Sequence, residues 1–174
     1  MATDLRQPGL TRWVRHRWLD VQDVRRKLPA EAAARLEAQV RASEAVHAAE
    51  LCVAIEGGLP ASYLRRGLTA RDRAVTLFGK LRVWDTPGNN GVLIYLLLAD
   101  HAIEILADRG LTGQVPPEVW SGVAERLSAS LADGRFEGGL AAAIAEVDAL
   151  LRRHCPLAEG EAKANALPDA LVML

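Results

Sequence analysis

Residues 81–110, LRVWDTPGNNGVLIYLLLADHAIEILADRG, decide the fold that this sequence predicts. They read as a polar loop, an apolar strand over 91–99, a two-residue turn and a second strand over 102–107. The first strand is apolar on both of its faces, which is typical of a strand that is covered on both sides. We therefore expect a hairpin within a sheet that has helices above and below it.

The flanking segments complete this picture. A short strand is predicted over 50–56, and apolar residues at helical spacing predict helices over 10–28, 30–46, 69–84, 117–131 and 136–154. The strand–helix–strand unit over 50–99 favours a right-handed parallel crossover, to which the last strand adds antiparallel. The predicted fold is a three-layer α/β/α sandwich with a small mixed sheet. It comprises a basic N-terminal helical extension (1–29), an α/β/α domain (30–156) and a mobile C-terminal tail (157–174).

The composition narrows the class of protein. Two cysteines, Cys52 and Cys155, lack the spacing of a thiolate metal site, which favours free thiols in a reducing compartment. No signal peptide and no apolar run of ~20 residues is present, so we expect a cytoplasmic protein. The chain has no glycine-rich nucleotide loop and no serine-nucleophile elbow, which argues against an organic cofactor and a hydrolase triad.

Charge is unevenly distributed along the chain. The net charge is −1, which predicts no nucleic-acid partner, yet residues 10–28 hold six Lys/Arg against two Asp. With Trp13 and Trp18, this basic helix could lie on the inner face of a membrane or bind a membrane-associated protein. It could equally pack on the domain with its arginines in water.

Strand direction gathers polar residues at one end of the predicted sheet. The amino ends of the two parallel strands meet there, and the antiparallel strand returns to it, with Asp108 opposite Leu93 if the turn has two residues. The residues at this end are Glu44, His47, Glu50, Asp85, Asn89, Asn90, Asp108 and Arg109. Carboxylate and amide oxygens are ligands that calcium and magnesium prefer.

We therefore predict a divalent-cation site with Asp85, Asp108, Glu50, Glu44, Asn89 and Asn90 as ligands. His47 and Arg109 are the candidates for a catalytic proton donor or phosphate partner. Each residue also has a structural interpretation. Asp85, Asn89 and Asn90 could shape loops, and Glu44 and His47 could form a solvated helix face.

Several segments resemble the TPM-domain family, in particular a compact bacterial branch without signal peptide or transmembrane helix. They are LFGKLRVWDTPGNNGVLIYLLLADHAIEILADRG, SEAVHAAELCVAIE, SLADGRFEGGLAAAIAEV and a tail with LPD before apolar residues. The NNGVLIYLLLAD stretch is the most specific, and the resemblance covers about 30–154. It implies an α/β/α sandwich. Some members are described as acid phosphatases, some bind calcium through acidic residues near these loops, and others assist membrane complexes.

Carried onto this chain, the resemblance implies sites at Asp85, Asn89, Asn90, Asp108, Glu44 and Glu50. The chain departs where many members have a glycine-rich TGxGLE-like segment, since it has ADRGLTGQV next to the predicted site. The resulting expectation is a TPM-like protein with a calcium or magnesium site and weak phosphatase activity. The alternative is a non-catalytic interaction module at the membrane surface or with a membrane-associated partner.

Overall fold

Four strands form the centre of the structure. They are β1 (Leu51–Glu56), β2 (Val92–Leu97), β3 (Ala102–Ala107) and β4 (Leu171–Met173). Their order in the sheet is β3-β2-β1-β4, with β1 parallel to β2 and β4 and with β3 antiparallel to β2. The computed structural model describes residues 9–157 and 171–174.

Helices cover both faces of this sheet, as the predicted α/β/α sandwich requires. They are α1 (Leu10–Trp18), α2 (Val21–Lys27), α3 (Ala30–Glu44), α4 (Ala61–Arg65), α5 (Ala70–Lys80), α6 (Pro117–Ala132) and α7 (Phe136–His154). One core joins α2, α3, α6 and α7 to the side of the sheet that we call the α7 face. A second core joins α4 and α5 to the opposite side, the α5 face. None of the helices among the described residues is long and apolar enough to cross a membrane.

The apolar strand is covered on both faces. All six residues of β2 are buried, because Ile94 and Leu96 pack into the core of the α7 face while Leu93 and Tyr95 pack into that of the α5 face. The predicted parallel crossover from β1 to β2 and the antiparallel hairpin are both confirmed. The Thr69 capping box with Asp72 that was expected at the start of α5 is also present.

The hairpin turn is longer than predicted. Leu97 pairs with Ala102, so four residues connect the strands, and His101 adopts a left-handed φ of 50°. Asp108 therefore donates its N–H to Gly91 and does not lie opposite Leu93. A shift of two residues leaves every side chain on its predicted face, since strand side chains alternate with a period of two.

The end of the predicted mobile tail is a strand. Leu171 and Val172 pair with Val53 and Ala54 of β1, while residues 158–170 lie outside the described residues. Sequence pattern missed β4 because so short an apolar run at the end of the chain does not by itself separate a strand from a loop.

The predicted N-terminal helix is two helices, not one. The first helix ends at Trp18, and Asp20 is the N-cap of the second. Its carboxylate accepts the N–H groups of Gln22 and Asp23 in a capping box. Trp13 of α1 packs against the core of the α5 face, whereas Val24 of α2 is part of the core of the α7 face. The chain thus crosses from one face to the other between the two helices.

Two glycines at the carboxyl end of β1 make this crossing possible. A Cβ atom on Gly58 would lie 2.4 Å from the carbonyl oxygen of His16, and one on Gly57 would lie 2.7 Å from that of Asp20. Both contacts are with backbone, which cannot rotate away as a side chain can. The N-terminal segment therefore packs on β1 at a distance that only glycine allows.

We expect Gly58→Ala to lower the free energy of unfolding by about 1–3 kcal/mol, because the added methyl group must displace the backbone of α1. Thermal melting measures the loss, and limited proteolysis should show faster cleavage near α1. Gly79→Ala in α5 is the matched control, since a Cβ there meets nothing within 4 Å and should be neutral or slightly stabilising. Equal melting temperatures for the two variants would contradict the close packing.

Candidate functional site

The predicted polar end of the sheet exists, and backbone pairing fixes its geometry. Val92 donates its N–H to Glu50 at 2.8 Å, and Asp108 donates its N–H to Gly91 at 2.9 Å. These bonds extend the strand register by one residue, so Glu50, Gly91 and Asp108 form a row across three strands. Side-chain alternation places this acidic row on the α5 face.

Carboxylate oxygens and a backbone carbonyl oxygen line the acidic row. Glu50 is 2% exposed, and a Cβ on Gly91 would lie 1.8 Å from the carbonyl oxygen of Val83, which therefore occupies the space above that glycine. Oδ1 of Asp108 accepts the backbone N–H of Arg109 at 2.7 Å. Its Oδ2 is buried and has no hydrogen-bond partner among the described residues. The row thus sets a carbonyl oxygen between two carboxylates.

A second polar group lies on the α7 face. Oε1 of Glu44 accepts the N–H of Leu51 at 3.0 Å, and the Asn90 amide donates to the carbonyl of Ala48 at 3.2 Å. The Oδ1 atom of Asn90 is buried without a hydrogen-bond partner in the part of the chain that the structure describes. Glu44 and His47 are both buried, so the interpretation as a solvated helix face is wrong. The sheet separates this group from the acidic row.

His47 is held within the protein by α3 and α7. Its Nε2 lies 2.9 Å from the hydroxyl of Ser43, which donates its single proton to Asp148 at 2.7 Å. Nε2 must then donate to Ser43, which is the reverse of the proton transfer that a catalytic serine requires. Because His47 is also 0% exposed, its contacts join two helices and do not face a substrate.

The remaining predicted residues lie in the loops beside the acidic row. Asp85 is exposed and pairs with Arg82. Asn89 adopts a left-handed φ of 49°, and its Oδ1 accepts from the guanidinium of Arg109 at 2.7 and 3.0 Å. The carbonyl of Asn89 accepts the N–H of Gly110, which joins the two loops. Arg109 is thereby held as an exposed cation next to Asp108.

The side chains of this end limit what a metal ion could use. No group of three or more His, Cys, Asp and Glu side chains in residues 9–157 and 171–174 is arranged to hold one. The acidic row offers two carboxylates and a backbone carbonyl. These suit a hard cation that completes its coordination with water, and they do not suit a closed site for a soft metal.

The carboxyl end of the sheet holds a buried polar network that sequence analysis missed. Arg73 of α5 makes two hydrogen bonds of 2.7 and 2.9 Å to the opposite oxygens of Glu56, and the Tyr95 hydroxyl donates to Glu56 at 2.7 Å. Burial and the neighbouring Glu56 raise the pKa of Tyr95, so its hydroxyl keeps the proton that it donates. In the sequence, Glu56 and Tyr95 are polar positions on the same face of two otherwise apolar strands. That pattern could have predicted the network.

A second cluster beyond this network fastens the N-terminal helix, and we call it the N-terminal latch. It consists of Arg12, Arg15 and His16 around Asp100, with distances of 2.8, 2.9 and 2.9 Å. Nδ1 of His16 accepts the N–H of Leu59, so its Nε2–H donates to Asp100.

The latch requires a neutral histidine and an ionised aspartate. Burial lowers the pKa of His16 below 6.5, against the opposing effect of the hydrogen bond to Asp100. Burial alone would raise the pKa of Asp100, but hydrogen bonds from Arg12 and His16 outweigh it and lower the pKa to about 2. Asp100 therefore stays charged throughout the range in which His16 titrates.

We expect the stabilisation from neutral His16 to be complete above pH 6.5 and to be lost as the pH falls through its lowered pKa. Protonation places a hydrogen on Nδ1, which then faces the N–H of Leu59. The melting temperature should accordingly fall more steeply with acid in the natural protein than in His16→Gln, whose side chain does not titrate. Parallel curves for the two proteins would show that His16 does not control the latch.

Known proteins resemble this chain both in sequence and in fold. A family model described as the TPM domain matches residues 21–150. The fold is similar to the NMR structure of BA42 protein from the psychrophilic bacterium Bizionia argentinensis sp. nov., with a TM-score of 0.71 and 24% identity over 83% of this chain and 94% of that chain. No curated protein matches.

Proposed function

This chain belongs to the TPM domain family, and from that premise we propose that it binds a divalent cation, calcium or magnesium, at the acidic row. One observation carries the proposal. The buried Oδ2 of Asp108 has no hydrogen-bond partner among the described residues, although a carboxylate oxygen in such a place needs one.

A cation would give the buried Oδ2 of Asp108 a partner. Glu50 and Asp108 lie two strand spacings apart, roughly 10 Å between Cα atoms, and their charges repel each other across Gly91. A bound cation turns this repulsion into attraction, and the carbonyl of Val83 adds a neutral oxygen ligand. Glu50 and Asp108 are the proposed side-chain ligands.

The other predicted ligands take supporting roles in this proposal. Asn89 holds Arg109 beside the row, while Glu44 and Asn90 secure the start of β1 from the α7 face. Asp85 is already paired with Arg82 in an exposed loop. A cation held by the row would thus not depend on the carboxylate of Asp85.

Saturating calcium or magnesium should raise the melting temperature by about 5–10 °C. Ligand at a hundred times its Kd contributes about 2.7 kcal/mol, and 1 kcal/mol shifts a domain of this size by about 2–4 °C. Asp108→Asn and Glu50→Gln should each remove most of this shift, because each replaces a charged ligand by an amide of the same shape. Calorimetric titration of the apo protein provides the matching Kd.

Glu118→Gln is the matched control, since Glu118 is exposed on α6, away from the row. Asp85→Asn tests whether the loop carboxylate takes part in binding. This variant should keep the cation-induced rise in melting temperature. No shift in the natural protein with calcium, magnesium or manganese would overturn the proposal, as would equal loss in Glu118→Gln.

Weak phosphatase activity is a second candidate, favoured by the position of Arg109. Its guanidinium is exposed, fixed by Asn89 and next in sequence to Asp108, which suits the binding of two phosphate oxygens. A divalent cation at the row would supply the positive charge that stabilises a phosphoryl group. His47 takes no part in this candidate, because its buried side chain lies on the other face.

If the row supports this chemistry, hydrolysis of p-nitrophenyl phosphate should require the added cation and should fall at least tenfold in Arg109→Gln. Arg153→Gln, at an exposed position near the end of α7, should retain the rate. A cation-induced rise in melting temperature without hydrolysis would support cation binding and would exclude phosphatase activity.

The alternative function is that of a non-catalytic interaction module, at a membrane surface or with a membrane-associated partner. The specific observation in its favour is that α1 keeps apolar residues in contact with water, with Leu10 81% and Trp18 80% exposed. Packing on the domain therefore explains the buried face of α1. It does not explain why the outer face is apolar.

A further inference from the structure

The two faces of α1 have opposite character. The inner face carries Arg12 and His16 of the N-terminal latch, together with Trp13, which packs against the core of the α5 face. The outer face carries Leu10, Val14 and Trp18, which are 81%, 49% and 80% exposed. Their spacing of four residues places them in one stripe along the helix.

Positive charge borders this apolar stripe on α1 itself. Arg17 is exposed at the border of the stripe, one residue before Trp18 and three after Val14. Arg25, Arg26 and Lys27 are also exposed, in the last turn of α2, but that helix packs on the opposite face of the sheet. Residues 10–28 carry a net charge of +4, so the rest of the chain carries −5.

We propose that α1, still fastened by the N-terminal latch, docks on an anionic lipid surface; this inference rests on the alternative function above. Trp18, Leu10 and Val14 would enter the interfacial layer, where an indole ring is well accommodated. Arg17, at the border of the stripe, would lie at the level of the headgroups, where a basic residue gains from anionic lipid.

The shape of α1 favours lipid over a protein partner. The stripe is a convex ridge on a nine-residue helix, with its apolar side chains at the outermost positions. A fluid bilayer adapts to such a ridge, whereas a protein would need a groove of matching shape. The latch also orders the helix before binding, so docking would not have to order the chain.

Sedimentation with protein-free phosphatidylcholine vesicles, with and without phosphatidylserine, tests the proposal in the presence of EDTA. The full chain should pellet with the anionic vesicles, and its tryptophan fluorescence should shift to shorter wavelength. Trp18→Ala should reduce the partition coefficient by about tenfold. Arg17→Gln should reduce it by about fivefold, since it removes one basic charge at the level of the headgroups.

Trp84→Ala is the matched control, because Trp84 is 51% exposed but lies beyond the end of α5. It should bind as the natural protein does, and all variants should keep their melting temperatures because the replaced residues are exposed. No binding to anionic vesicles, or equal loss in Trp84→Ala and Trp18→Ala, would overturn the proposal. EDTA keeps the outcome independent of the cation site, so the two proposals fail separately.

Discussion

The parallel pairing of β1 with β2 is the constraint on which the rest of the structure depends. Both strands are buried along their whole length, so helices must cover both faces of the sheet. The same pairing aligns the amino ends of the two strands at one edge and their carboxyl ends at the other. The acidic row lies at the first edge, and the Glu56 network lies at the second.

Much of the architecture could be predicted from the sequence because the most informative patterns lie within short stretches of the chain. A continuous apolar run predicts a doubly covered strand, and Thr69 with Asp72 predicts the start of a helix. Two of the features that escaped prediction, the N-terminal crossing and β4, depend on distant contacts. The crossing after Trp18 requires Gly57 and Gly58 on another element, and β4 requires a partner strand more than a hundred residues earlier in the chain.

The candidate site was predictable as an end of the sheet but not as a set of side chains. Strand direction correctly brought Glu50 and Asp108 to one edge. Because successive residues of a strand point to opposite faces, Asn90 and Gly91 lie on different sides of the sheet. The predicted residues therefore form two separate groups. The carbonyl of Val83 could not have been anticipated, since its place above Gly91 depends on the path of the loop after α5. The pairing of Asp85 with Arg82 likewise depends on local loop geometry.

The crossing of the N-terminal segment has a consequence for where the protein can bind ligands. In open α/β sheets, small molecules usually bind beyond the carboxyl ends of the parallel strands. Here that space is filled by the chain itself, because the backbone of residues 16–20 lies on Gly57 and Gly58. The match to the family model starts at residue 21, so a truncation at that boundary would remove α1 with its crossing and uncover Asp100 and the ends of the strands. The smallest unit that reproduces the native surface is therefore longer than the segment that the family model matches.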